Sequence, residues 1–265
     1  MKDGPGEAPQ VALVCGLARD GGTALLERHV EWPWSLPRGY RRAGRDGPLT
    51  VLPQCAGAAL LPGDRWRHRI EAQAGAKVDM ISAGALLVHA DRKRPRVARS
   101  DWELMAGEGA VLRHLQDPNV LMTGARMAQR IDLTLAPGAT AVLFDGMCRQ
   151  SPEAGDAGGW WLSDLQVTAP GGRVLLRDRQ RVSEADLAGI RALPGGAAAF
   201  GTVTMLGADH GALRQAFPEG PMALRDCYAA CGAARGGAGL VLRIAARTGG
   251  ALDRAFRHVR ERLSP

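Results

Sequence analysis

The chain has 265 residues, a formal net charge of +7 and a pI near 9.7, with 46% hydrophobic and 23% charged residues. These values fit a globular protein large enough to bury its core without disulfide staples, and they exclude a disordered or collagen-like chain. Only Lys2, Lys77 and Lys93 are lysines, so the basic excess is carried by arginine, which suits bidentate carboxylate pairing better than a simple phosphate-binding tail. A nucleic-acid partner is not expected.

The segment Met1–Glu7 lacks an apolar run after its basic residue, which argues against a secretory signal, and no stretch reaches the roughly 18 apolar residues of a membrane span. The expected location is cytoplasmic. Five irregularly spaced cysteines, Cys15, Cys55, Cys148, Cys227 and Cys231, fit reduced thiols in such a compartment.

Four segments then follow one pattern, an alternating strand, a glycine-centred turn and a second alternating strand. They are 69–80 around Gly75, 102–112 around Gly109, 131–143 around Gly138 and 165–176 around Gly171. Proline and glycine preset the turn dihedrals, and period-2 alternation gives each strand one buried face. The expectation is mainly β: a layered β-superhelix or sandwich of antiparallel hairpins, with a few helices in the C-terminal third. The chain reads as a single domain over 1–265, β-rich over 8–182 and mixed over 183–265. Arg38–Gly47 and Pro152–Gly159 read as long polar loops.

Helix signals begin at Ser183-Glu184-Ala185-Asp186, an N-cap followed by inward-facing Leu187, Ile190 and Leu193 and stopped by Pro194-Gly195-Gly196. A second short helix is expected over Asp209–Phe217. Phe200–Leu206 and Leu240–Ala246 read as buried strands. Leu252, Phe256, Val259 and Leu263 form an apolar stripe opposite four arginines, so an amphipathic helix ends the chain.

Catalytic signatures are missing. The sequence has no G-x-S-x-G elbow, P-loop or dinucleotide fingerprint, and its histidines lack metal-ligand spacing. An enzyme reading rests on a convergence of His68, His89 and Asp64. Cys227 and Cys231, four apart, would share a helix face as small core residues. Adjacent strand residues point to opposite faces, so Trp160 and Trp161 are interface candidates with one of them exposed as an anchor, the alternative being that the preceding loop covers both. Arg92, Arg94 and Arg96 form the densest basic cluster, a loop surface with a docking role open to it.

The order of several motifs resembles the UreD (UreH) family of urease accessory proteins, as a divergent member. Gly47-Pro48-Leu49-Thr50-Val51, Leu60-Leu61-Pro62-Gly63-Asp64 and Ala74-Gly75-Ala76-Lys77-Val78 stand in family order. Glu108–Val120, Leu135-Ala136-Pro137-Gly138-Ala139 through Phe144-Asp145, and Gly239-Leu240-Val241-Leu242-Arg243 follow. Arg113 replaces a family glutamate, and Arg149-Gln150-Ser151 replaces a Leu-Gly-Arg. The resemblance implies a β-rich, non-catalytic scaffold that binds apo-urease with UreF and UreG and assists nickel insertion. It implies no tightly bound cofactor, only transient Ni2+, passing acidic positions that match Asp64, Asp145 and Asp178. The alternatives are a related scaffold for another assembly and the β-fold enzyme above.

Overall fold

The computed structural model describes residues 8–57, 59–91, 93–192, 195–207 and 214–263. In chain order its strands are β1 (Val11–Leu17), β2 (Thr23–Val30), β3 (Trp34–Ser35), β4 (Leu49–Val51), β5 (Gln54–Cys55), β6 (Ala59–Leu60), β7 (Arg65–Ala72) and β8 (Lys77–Ile81). Then come β9 (Leu87–Val88), β10 (Ala98–Ala106), β11 (Val111–Leu115), β12 (Asn119–Leu121), β13 (Arg126–Leu135), β14 (Thr140–Arg149), β15 (Trp160–Thr168) and β16 (Val174–Ser183). After helix α1 (Glu184–Arg191) follow β17 (Ala199–Gly207), β18 (Gly220–Leu224), β19 (Cys227–Ala233), β20 (Gly239–Ala246) and helix α2 (Gly249–Leu263).

Two open sheets face each other. The first runs β16-β15-β13-β10-β7-β1-β2, and the second β18-β19-β20-β17-β14-β11-β8-β4 with a short branch of β12, β9 and β6. The expectation of a mainly β, layered fold holds, but the pairing inside it differs. Strands joined by the Gly75, Gly109 and Gly138 turns do not pair with each other; β7, β10 and β13 lie in the first sheet, and β8, β11 and β14 in the second. Each turn is therefore an arch between sheets, and successive arches stack as parallel ladders. Only the fourth unit, β15–β16, is an antiparallel hairpin, and its left-handed residue is Gly172 rather than Gly171. Alternation reports which face is buried, and a hairpin and an arch share that pattern.

The arches also bond to one another. The Gly75 N–H donates to the Glu108 carbonyl and the Gly109 N–H to Pro137, at 2.9 and 3.3 Å, so the positive-φ glycines form a column at one end of the sandwich. Beneath it lies the largest apolar cluster, including Leu13, Ile70, Leu104, Leu112, Ile131 and Leu165. A second cluster fills the opposite end, including Leu60, Trp66, Val88, Met127 and Trp161.

The far face of the second sheet is covered by α2, whose Leu252, Phe256 and Val259 are buried as the apolar stripe requires. Gly146 and Gly201, paired across β14 and β17, allow this close approach: a Cβ at Gly201 would meet Leu252 at 2.6 Å and Phe256 at 2.8 Å. Arg113 meets Asp79 at 2.6 and 2.8 Å and donates to the Leu263 carbonyl at 3.0 Å, tying the end of α2 to the sheet.

Helix α1 starts as the sequence indicates, with Ser183 and Asp186 forming a reciprocal capping box and Leu187 buried. Its first residue, Glu184, is buried and accepts from the Gly124, Ala157 and Gly159 N–H groups and from Arg149, which fixes the 152–159 loop. Cys227 and Cys231 lie on strand β19, not on a helix; alternate residues of a strand share a face just as i and i+4 do on a helix. The 200–206 and 240–246 strands are present as β17 and β20, which extend the second sheet. Leu193, Pro194 and most of the 209–217 segment lie outside the described residues; 214–216 form a helical turn.

Candidate functional site

A row of polar side chains crosses the sandwich between its two end clusters. On the first sheet Ser100, Gln129, Ser163 and Gln180 are direct neighbours on successive strands, all facing inward. On the second, Asp145, Thr202 and Arg243 are likewise neighbours on β14, β17 and β20. The rows face each other. Gln129 Nε2 donates to Asp145 Oδ1 at 2.7 Å, and Ser163 Oγ donates to Asp145 Oδ2. Gln180 Nε2 lies 3.0 Å from Thr202 Oγ1 and 3.1 Å from Asp178 Oδ2. Arg243 then bridges Thr202 Oγ1 at 2.9 Å and Asp178 Oδ1 at 2.6 Å.

This seam opens at one end into a cavity of about 420 Å³ walled by Trp34, Trp66 and Trp102, with Ser100, Gln129 and Asp145 at its base. The Trp34 Nε1 and Gln116 Nε2 donors that line it have no protein partner among the described residues. Arg243, at the other end, sits on the rim of two surface hollows. Burial pushes the Asp145 carboxyl up to about 6; the hydrogen bonds from Ser163 and Gln129 oppose the rise and the nearby Asp178 charge adds to it. The seam thus offers two carboxylates, amides and hydroxyls, oxygen donors that hold a divalent cation loosely.

Asp145 and Asp178 are brought together; Asp64 is apart from them. It closes the turn before β7, accepting from the Leu61 N–H at 3.0 Å, and does not line the cavity. Trp161 is buried in the end cluster, which corrects its reading as an interface anchor: it is the inward member of the pair. Trp160 is half-buried outside, with the Arg181 guanidinium 5.8 Å from its ring. Arg94 and Arg96 are exposed on a loop turned by Asp91, and Arg92 lies outside the described residues.

The enzyme constellation does not assemble. His68 stacks on Trp102 at 3.8 Å and edges Trp34 at 4.6 Å, and His114 meets Trp102 edge-on at 4.6 Å. Burial pushes both imidazoles down to about 3, so they are neutral packing rings. His89 lies after β9 with its N–H on the Leu60 carbonyl. Burial also pushes the Cys15 and Cys148 thiols up to about 12 and 11, far from the thiolate a nucleophile needs. Among the described residues no group of three or more His, Cys, Asp or Glu side chains could hold a metal ion.

Sequence reasoning missed Gln129, Ser163, Gln180, Thr202 and Arg243 as one set. A signal was there: Ser100, Gln129 and Ser163 each stand nine residues before a positive-φ glycine, Gly109, Gly138 and Gly172. A polar residue recurring at one inward register of stacked arches must line a common row.

Residues 9–265 match the UreD urease accessory protein family. The chain is 33% identical to urease accessory protein UreD 1 of Methylorubrum populi, over 98% of this chain and 90% of that protein. It is 34% identical to UreD 1 of a Bradyrhizobium species (95% and 88%) and 30% identical to UreD of Mycolicibacterium smegmatis (92% and 87%). The match runs across both sheets and α2, and the relatives are named as accessory proteins rather than enzymes, so the chain belongs to the UreD family of urease accessory proteins.

Proposed function

We propose that this protein is a cytoplasmic scaffold that docks on apo-urease with UreF and UreG, and that its polar seam passes nickel toward the urease active site. One observation carries the reading. A half-buried carboxylate, Asp145, joins two facing polar rows that lead from a 420 Å³ cavity to the opposite edge of the sandwich. A hydrophobic core has no reason to carry such a row, because each buried polar group must be matched to avoid a desolvation penalty. Oxygen ligands and incomplete cages suit a cation in transit: they replace part of its hydration shell without trapping it. No helix among the described residues is long and apolar enough to cross a membrane.

The test is urease maturation with Asp145→Asn, scoring nickel per urease by elemental analysis and complex formation by co-purification. The expected result is an intact complex with low nickel. Normal nickel content with this variant would sink the seam as a route. Co-purification of the wild-type chain from its host tests the partners separately: absence of urease, UreF and UreG would overturn the maturation role itself.

A further inference from the structure

The seam does not reach the surface as an open acidic mouth. At its far end Asp178, whose side chain is 16% exposed, is held by Arg243 at 2.6 Å, and the same guanidinium caps Thr202 at 2.9 Å. Arg243 lies in register with Thr202, which itself lies in register with Asp145, so the cation stands in line with the row rather than beside it. Its own side chain is 45% exposed, with its outer side toward solvent in the hollows bounded by Pro221, Tyr228 and Ala230. Among the described residues no other charged side chain stands on either inward row; the remaining members are Ser100, Gln129, Ser163, Gln180 and Thr202 besides Asp145.

We propose that Arg243 is a cationic latch: in the resting chain its guanidinium neutralises Asp178 and closes the outlet of the seam to a divalent cation, and its displacement exposes the carboxylate that completes the path. This rests on the seam being a cation route. The physical argument is placement. A fixed positive charge at hydrogen-bond distance from an acidic ligand repels an incoming dication and occupies the lone pairs the dication needs. Here the acid is inside and the cation half outside, so the arginine is the partner free to move.

The experiment uses the full chain and Ni2+ alone, with binding read by equilibrium dialysis at neutral pH and folding checked by circular dichroism. Arg243→Gln keeps the length and the amide donors and removes the charge. It is expected to tighten Ni2+ binding roughly tenfold, the scale of one unit charge removed at close range. Arg243→Lys is expected to bind like wild type, because the charge remains. Adding Asp178→Asn to Arg243→Gln is expected to abolish the gain. Unchanged binding in Arg243→Gln overturns the latch, and so does a gain that survives Asp178→Asn. The seam reading fails differently: if neither Asp145→Asn nor Asp178→Asn alters Ni2+ binding or nickel delivery, the route falls and the latch with it. If those variants weaken delivery while Arg243→Gln binds as wild type, the route stands without the latch. Should Arg243→Gln not fold, the Arg243→Lys and wild-type chains compared under rising salt decide it: a latch held by charge loosens, so Ni2+ binding relative to the salt-matched Asp178→Asn control should rise, and a flat ratio overturns it.

Discussion

Among the interior regions that carry polar side chains, two solve burial in opposite ways. In the aromatic slab of Trp66, Trp34, His68, Trp102 and His114, the imidazole nitrogens have no hydrogen-bond partner at normal geometry among the described residues, and burial keeps both rings neutral. In the seam a few ångströms along the same strands, the Asp145 carboxylate is matched by Gln129 and Ser163 and faces a cavity. The slab is polar by composition and apolar in behaviour. The seam is a hydrogen-bonded network whose charge changes within a pH unit or so of neutrality. The difference teaches that a buried histidine pair is weaker evidence of function than a half-buried, well-matched carboxylate facing a cavity.

The most direct way to break this contrast is to remove the ring that joins the two histidines. Trp102→Ala should destabilise the fold by about 3–5 kcal/mol, the usual range for deleting a buried tryptophan, as read by urea unfolding. A loss below about 1 kcal/mol would mean the slab is not holding the sheets together. Acid should distinguish the regions next. Both histidines have folded values near 3, below their unfolded value, so the stability due to their neutral burial is complete above about pH 6.5 and is lost as pH falls toward 3. At about 1.4 kcal/mol per ring per pH unit, the loss between pH 6.5 and 5 amounts to as much as about 4 kcal/mol. Replacing the pair, His68→Phe with His114→Leu, should flatten that limb; an unchanged acid limb would show that other groups set it.

Asp145 should respond with the opposite sign. Its folded value is raised to about 6 from 3.8, so its contribution is complete below 3.8 and is lost as pH rises through 6. At neutral pH the ionised carboxylate is thus a destabilising element, partly relieved by its hydrogen bonds from Ser163 and Gln129. Asp145→Asn is expected to gain about 1–2 kcal/mol at pH 7.5 and nothing at pH 4, while nickel delivery falls. A variant that is both more stable and less able would mark the carboxylate as retained for function.

Much of this was legible in the sequence because each signal is local. The Ser183 capping box, the α2 stripe and the alternation of β7, β10 and β13 depend on residues within a turn or two. Pairing was not legible, because Gly75, Gly109 and Gly138 permit a hairpin and an arch alike. Neither was the ring neighbour of His68: it is His114, reached through Trp102, and not His89, since the parallel register of β7 and β10 sets His68 on Trp102 and the Gly109 arch folds β11 across to face them. The seam lay between these cases. Three of its members, Ser100, Gln129 and Ser163, keep a nine-residue offset from the turn glycines, but the offset acquires meaning only once the strands are known to stack in parallel.

The smallest expected effect settles which aspartates belong together. Asp64 resembles Asp145 in the family motif it occupies, yet its carboxylate accepts from the Leu61 N–H and closes the four-residue turn in which the Asp64 N–H returns to the Leu61 carbonyl. A side chain of this kind is worth about 0.5–1.5 kcal/mol, the net value of one partly exposed hydrogen bond. Asp64→Ala should therefore lower the unfolding midpoint slightly, leave Asp145 and the cavity untouched, and deliver nickel as wild type at temperatures where it stays folded. If nickel incorporation fell as far as with Asp145→Asn while stability barely changed, the cation path would run over the outside of the sandwich past Asp64. The contrast between a matched interior row and a neutral slab would then have no bearing on transfer.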